Sequence, residues 1–140
     1  MLLIARAPVR ISFGGGGTDL PAYYSQFGGA VLNTAINRYI YTIVSEGASP
    51  ALQIISSDFR VFYRHDDDSI MDSEGELGLA KAILREFGSY EGLDIFLSSQ
   101  VPPGTGLGSS GAVAVCMVTA LAAWQGRRLS GTDIAEIACD

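Results

Sequence analysis

Lysine is almost missing from this sequence: of nine basic residues, only Lys81 is a lysine. Phosphate-binding loops that depend on a lysine next to their glycines are therefore hard to build here. Cysteine is equally scarce, with Cys116 and Cys139 lying 23 residues apart and no CxxC spacing. His65 is the one histidine, so we expect two buried free thiols and no zinc site. Positive charge is in deficit as well. A formal net charge of −6 argues against nucleic acid or an anionic membrane as partner. The longest apolar run, Ala112 to Trp124, has 13 residues, short of the roughly 20 needed to cross a bilayer. The start, MLLIARAPVR, has no basic leader and only a five-residue apolar run, so we expect no signal peptide and a cytoplasmic location.

What the sequence does contain is apolar residues and glycine. Hydrophobic residues make up 48% and charged residues 17%, the balance of one globular domain with a substantial core. The glycines cluster. Gly104, Gly106, Gly108 and Gly111 lie in a short loop before Ala112 to Gln125, which has the composition of a helix apolar on nearly every side. Free N–H groups at the start of such a helix, behind a loop almost bare of side chains, attract anions and phosphate above all. Ser109 and Ser110 add hydroxyls for a phosphate oxygen or a magnesium ion. The plainer account is a tight strand-to-helix turn with Ser109 as N-cap.

Three familiar glycine patterns compete for the loop. Gly106-x-Gly108-x-x-Gly111 has dinucleotide-fingerprint spacing, but Pro102 and Pro103 separate it from the preceding strand and another helix follows. A protein-kinase glycine loop needs a lysine on a following strand, and Lys81 lies upstream. Ser109 stands where a Walker A loop has its lysine. A phosphate loop acting through backbone and hydroxyl groups survives.

Along the chain, residues 2 to 13 alternate, with Leu3, Ala5, Ala7, Val9, Ile11 and Phe13 on one face and Arg6, Pro8, Arg10 and Ser12 on the other. That predicts a half-buried strand with an edge position or a bulge at Pro8. Gly14 to Gly17 follow, either as a flexible hairpin turn or where a ligand or another segment comes close. Thr18 or Asp19 then caps a short helix over Leu20 to Tyr24, or Asp19 accepts from ligand hydroxyls. A long strand is expected over Ala30 to Ser45, with Asn33, Asn37 and Arg38 on a solvated or ligand-facing side. Next come a hairpin of Leu52–Ser56 and Phe59–Tyr63, a helix over 76 to 87 ended by Gly88, and a strand over Leu93 to Leu97. The acidic run Asp66-Asp67-Asp68 after His65 is expected to be solvated rather than to hold metal. Gly126 ends the apolar helix, and Ser130 with Asp133 forms a capping box for a last helix. The absence of a closing element at residue 140 suggests a truncated chain.

Two stretches together carry a resemblance. PPGTGLGSSGA, residues 102 to 112, resembles the ATP motif of the GHMP kinases, the small-molecule kinases that include galactokinase, homoserine kinase, mevalonate kinase and phosphomevalonate kinase. APVRISFGGGGTD, residues 7 to 19, resembles their amino-terminal substrate motif. Within the family, RAPVRISFGGGGTDLPAYY and FGGAVLNTAINRYIY are most similar to the heptose 7-phosphate kinases, with fucokinase-like members next.

The resemblance implies an α+β fold, a mostly antiparallel sheet backed by helices in the manner of ribosomal protein S5 domain 2. Residues 1 to 140 would be the amino-terminal ATP- and substrate-binding domain, with a carboxy-terminal domain absent. It implies that Pro103, Gly104, Thr105, Gly106, Leu107, Gly108, Ser109, Ser110 and Gly111 bind ATP, with Ser110 reaching Mg²⁺. Arg10 takes the catalytic position that polarises the attacking hydroxyl or neutralises charge, while Gly17, Thr18 and Asp19 bind substrate. Gly111 stands where the family more often has Ala or Ser. The family's acidic base and a further glycine motif have no counterpart in these residues, so this stretch alone should be inactive. The expected activity is ATP-dependent phosphotransfer to a sugar or sugar phosphate; a fucokinase-like or other sugar kinase, or a non-catalytic sugar and ATP sensor on the same scaffold, is the alternative.

Overall fold

The computed structural model describes residues 1–66, 71–72, 74–88 and 90–139. Five strands, β1 (Leu2–Gly14), β2 (Leu32–Glu46), β3 (Leu52–Ser56), β4 (Val61–His65) and β5 (Leu93–Ser99), form one sheet in the order β1-β2-β5-β3-β4. All neighbours are antiparallel except β3 and β5. The helices are α1 (Pro21–Phe27), α2 (Gly78–Phe87), α3 (Ser109–Trp124) and α4 (Gly131–Cys139). The mostly antiparallel α+β layout expected from the resemblance is present.

The core lies between one sheet face and the helices. Ala5, Ala7, Val9, Ile40, Val44, Ile54, Ile95 and Leu97 point inward from the strands. α3 rests on β1 and β2, with α2 and α4 beside it. Its Met117, Val118, Ala120 and Leu121 are at most 1% exposed, so a helix apolar on all sides has become the centre of the fold. Gln125 Nε2 donates to the Phe87 carbonyl at 3.1 Å, tying the end of α3 to the end of α2. Gly88, left-handed at φ 67°, ends α2 as its position suggests.

The opposite sheet face carries a cross-strand row, Ile4–Ile43–Phe96–Ile55–Phe62, in direct register across all five strands. Ile4 and Phe62 at its ends are 61% and 57% exposed.

β1 departs from its sequence pattern halfway along. Inward burial stops at Val9, and Ile11 and Phe13 are 38% and 66% exposed, contrary to the single apolar face expected through residue 13. The change coincides with a register slip between Pro8 and Arg10: Pro8 lies opposite Tyr39, but Arg10 lies opposite Ala35. Pro8 therefore marks an edge strand and an irregularity together.

Helix ends bring three further corrections. α1 is capped by neither Thr18 nor Asp19; Leu20 is its N-cap and no side chain caps it. α3 begins at Ser109, three residues before the predicted start, so Gly108 and not Ser109 is its N-cap. Only Cys116 is buried, whereas Cys139 is exposed. Burial pushes the Cys116 thiol above its ordinary value. The capping box of α4 does form: Ser130 N–H donates to Asp133 Oδ2 at 2.8 Å and Asp133 N–H to Ser130 Oγ at 3.2 Å. Those bonds hold the Asp133 carboxyl below the usual carboxylate range.

Lys81 is buried on α2, where Nζ donates to Asp72 Oδ1 at 2.9 Å and to the Glu74 carbonyl at 3.2 Å, over the Tyr63 ring. The sole lysine is a packing residue and takes no part in the glycine loop. Its bond holds the Asp72 carboxyl low.

Leu121→Ala should cost about 2–5 kcal/mol of stability, read from urea unfolding, because α3 is enclosed and its surroundings cannot collapse onto the gap. A loss below about 1 kcal/mol would contradict this placement of α3.

Candidate functional site

The second glycine loop leaves β5 and turns back to the edge of β1. Gly104, Gly106 and Gly108 hold φ of 77°, 72° and 69°, the left-handed region that disfavours any residue with a Cβ. Thr105 Oγ1 donates to the Pro102 carbonyl at 3.2 Å inside the turn. α3 then starts without a side-chain cap. Ala112 N–H reaches the Gly108 carbonyl at 3.1 Å, so the amides of Ser109, Ser110 and Gly111 precede the first intrahelical bond. The hydroxyls of Ser109 and Ser110 bond no described residue. Bare amides, two free hydroxyls and a helix dipole point the same way, and the donor set fits an anion such as a phosphate chain.

Arg10 belongs to the same place. Its N–H donates to the Leu107 carbonyl at 3.0 Å. Its guanidinium lies so close to Gly108 that a Cβ built there would overlap Nη1. It makes no hydrogen bond or ion pair with any described residue. A cation with all its donors free therefore stands at the mouth of α3, drawn there from the other motif.

Gly17, Thr18 and Asp19 form a separate unit. Thr18 Oγ1 lies 2.7 Å from the Gly15 carbonyl and 3.0 Å from that of Ala30, and accepts from Ala30 N–H at 3.1 Å. A Cβ on Gly15 would overlap the Ala30 carbonyl oxygen, and one on Gly29 the Thr18 carbonyl oxygen. The first glycine stretch is thus tight against the 28–30 segment, answering the flexible-turn alternative. Asp19 accepts from Gly17 N–H at 2.9 Å through Oδ1, and Oδ2 has no partner among the described residues. Among the described residues, no hydrogen bond or ion pair joins Asp19 to the second loop.

A cleft of about 280 Å³ opens beside the loop, near the lower bound for small-molecule pockets. Gly104, Ser109 and Ser110 line one part of it, and Phe59, Leu77, Leu79 and Ala80 contribute apolar wall. Asp58, also in the lining, accepts from Ser99 N–H at 3.2 Å. Sequence reasoning placed Phe59 in a strand and missed this wall; β4 begins only at Val61, after Arg60 at φ 54°. Of the acidic run, Asp66 pairs with Arg64 at 2.7 Å, and Asp67 and Asp68 lie outside the described residues. Among the described residues, no three potential ligands gather into a metal site and no helix is long and apolar enough to cross a membrane.

Residues 77–140 match the family model for the GHMP kinases N terminal domain. The chain is 28% identical over 138 residues to the D-glycero-alpha-D-manno-heptose 7-phosphate kinase of Campylobacter jejuni, covering 95% of this chain and 41% of that protein. It is 31% identical over 90 residues to the mevalonate kinase of Pyrococcus horikoshii, covering 64% of this chain and 27% of that protein. Its fold superposes with a TM-score of 0.85 on the crystal structure of a D-glycero-D-manno-heptose 1-phosphate kinase from Bacteriodes thetaiotaomicron, at 28% identity over 99% of this chain and 46% of that one. The chain therefore spans less than half the length of these relatives.

Gly15→Ala should cost about 2–4 kcal/mol, since a methyl group there meets a backbone carbonyl and φ is 83°. Gly16→Ala, with nothing within 4 Å, should stay within about 0.5 kcal/mol of wild type. Equal unfolding midpoints for the two variants would contradict the packing of the first loop.

Proposed function

We propose that this chain belongs to the GHMP kinase family and that the protein transfers the γ-phosphoryl group of ATP to a hydroxyl of a sugar phosphate, a heptose 7-phosphate in first place. The observation that carries this reading is the convergence of the Arg10 guanidinium and the uncapped amides of Ser109, Ser110 and Gly111. Phosphoryl transfer asks a protein mainly for alignment and charge neutralisation. Arg10 and the amides offer both without a lysine.

Each residue then has a task. The left-handed glycines keep side chains away so that phosphate oxygens reach the amides. Arg10 neutralises charge that develops on the transferred group. Ser110 Oγ, free in this structure, would ligate Mg²⁺, which when bound screens the phosphate oxygens. Phe59, Leu77 and Ala80 offer the nucleoside an apolar surface. Asp19 Oδ2 accepts from substrate hydroxyls. Thr18 supports that turn, its single hydroxyl hydrogen being committed to a backbone carbonyl. In the transfer, a bond forms between the substrate oxygen and the γ-phosphorus as the bond to the bridging oxygen breaks. ADP leaves with that electron pair, and the hydroxyl proton passes to a general base. This reading places the protein in the cytoplasm, with ATP and sugar phosphates.

In the full-length protein, Gly108→Val should weaken ATP binding by about 100-fold or more, because the side chain displaces Arg10 and blocks the amides. Unchanged ATP affinity by calorimetry would remove the phosphate-loop assignment. Asp19→Ala should raise the dissociation constant for sugar by about 10- to 100-fold at unchanged ATP affinity. Unchanged sugar affinity would leave Asp19 as a turn residue alone. A turnover assay against a panel of sugars and sugar phosphates tests the activity itself: binding of both ligands with no turnover would point to a sensor.

A further inference from the structure

The β2–β5 ladder ends with Ile40 opposite Ser99. One residue on, Gln100 N–H donates to the Tyr39 carbonyl at 3.0 Å, half of what a hydrogen-bonded antiparallel pair exchanges. The regular partner for Tyr39 N–H would be the Gln100 backbone carbonyl. Instead Tyr39 N–H donates to Oε1 of the Gln100 side chain, also at 3.0 Å. The side chain stands in for the main chain's own acceptor. The backbone can then leave the sheet early, in a turn held by Ser99, whose Oγ donates to the Val101 carbonyl at 2.7 Å and accepts from Val101 N–H at 3.0 Å.

This rung sits beside the slip in the sheet. On its other side Tyr39 faces Pro8 as a non-hydrogen-bonded pair, since its own N–H and C=O both point to Gln100, and by Arg10 the register has changed. At the far end of the loop, Leu107 accepts from Arg10 N–H. The segment from Gln100 to Leu107 is therefore clasped at both ends to the two strands that flank the slip, on β2 at Tyr39 and on β1 at Arg10.

We propose that Gln100 is a positioning residue for phosphoryl transfer: its side-chain oxygen closes the last β2–β5 rung and so holds the glycine loop and Arg10 as one unit. The functional half of this inference rests on the nucleotide-site reading above, whereas the clasp can be measured without nucleotide. Only the acceptor oxygen is used, so glutamate can replace glutamine at this position. Leucine has no acceptor, and asparagine is one methylene too short to reach.

The test compares full-length wild type with Gln100→Glu, Gln100→Leu and Gln100→Asn, the last serving if the leucine variant does not fold. Amide hydrogen exchange at Tyr39 and Arg10 is read without nucleotide, and MgATP affinity by calorimetry. Gln100→Leu and Gln100→Asn should speed exchange at both amides by about fivefold, the worth of one ordinary hydrogen bond, and weaken MgATP binding by a similar factor. Gln100→Glu should match wild type in both. Faster exchange at Tyr39 alone, with Arg10 and MgATP affinity unchanged, overturns the proposal, as does a glutamate variant that behaves like leucine. A wild-type protein that fails to bind MgATP would remove the nucleotide reading, while exchange at Arg10 would still support or overturn the clasp.

Discussion

The amino end of α3 has no side-chain cap, and the rest of the site is built around that fact. A helix this apolar and this enclosed cannot shift to find a partner for its first amides, because its flanks are packed against β1, β2, α2 and α4. Its free donors must be met by something outside the helix. A glycine loop with three left-handed residues keeps side chains from meeting them, and the Arg10 guanidinium adds charge at the same spot without bonding to any described residue. Core packing thereby leaves amide donors at the mouth of α3 that suit an anion.

The slip between Pro8 and Arg10 is equally local and has a wider effect. A two-residue advance along β1, from Pro8 to Arg10, is set against a four-residue one along β2, from Tyr39 to Ala35. Up to Val9 the strand buries small residues under α3; from Arg10 on it is exposed and leads to the first glycine stretch. One irregularity thus separates the buried half of β1 from the exposed half.

Much of this was legible in the sequence because the signals were local. Alternation gave β1, Gly88 and Gly126 marked helix ends, and the spacing of Ser130 and Asp133 gave the α4 capping box. The glycine pattern marked a tight turn into α3, and Gly104, Gly106 and Gly108 are left-handed there. What escaped depended on distant partners. Nothing in LIARAPVRISF says that inward burial ends at Val9, since the slip lies in the pairing with β2. Thr18 read as a cap or ligand residue, yet its hydroxyl bonds Ala30, twelve residues away. Phe59 and Asp58 read as hairpin residues, and only the tertiary fold brings them to the cleft beside Ser109. Gln100 gave no periodic signal at all, because its role is to imitate a backbone group.

The burial of Lys81 also bears on how the domain can be probed. At 7% exposure, with its ammonium held by Asp72 and Glu74, the one lysine of these residues is shielded from acylating reagents while α2 stays in place. Modification of Nζ must wait for that helix to open, so its rate, read apart from that of the exposed Met1 amine, reports local breathing at α2.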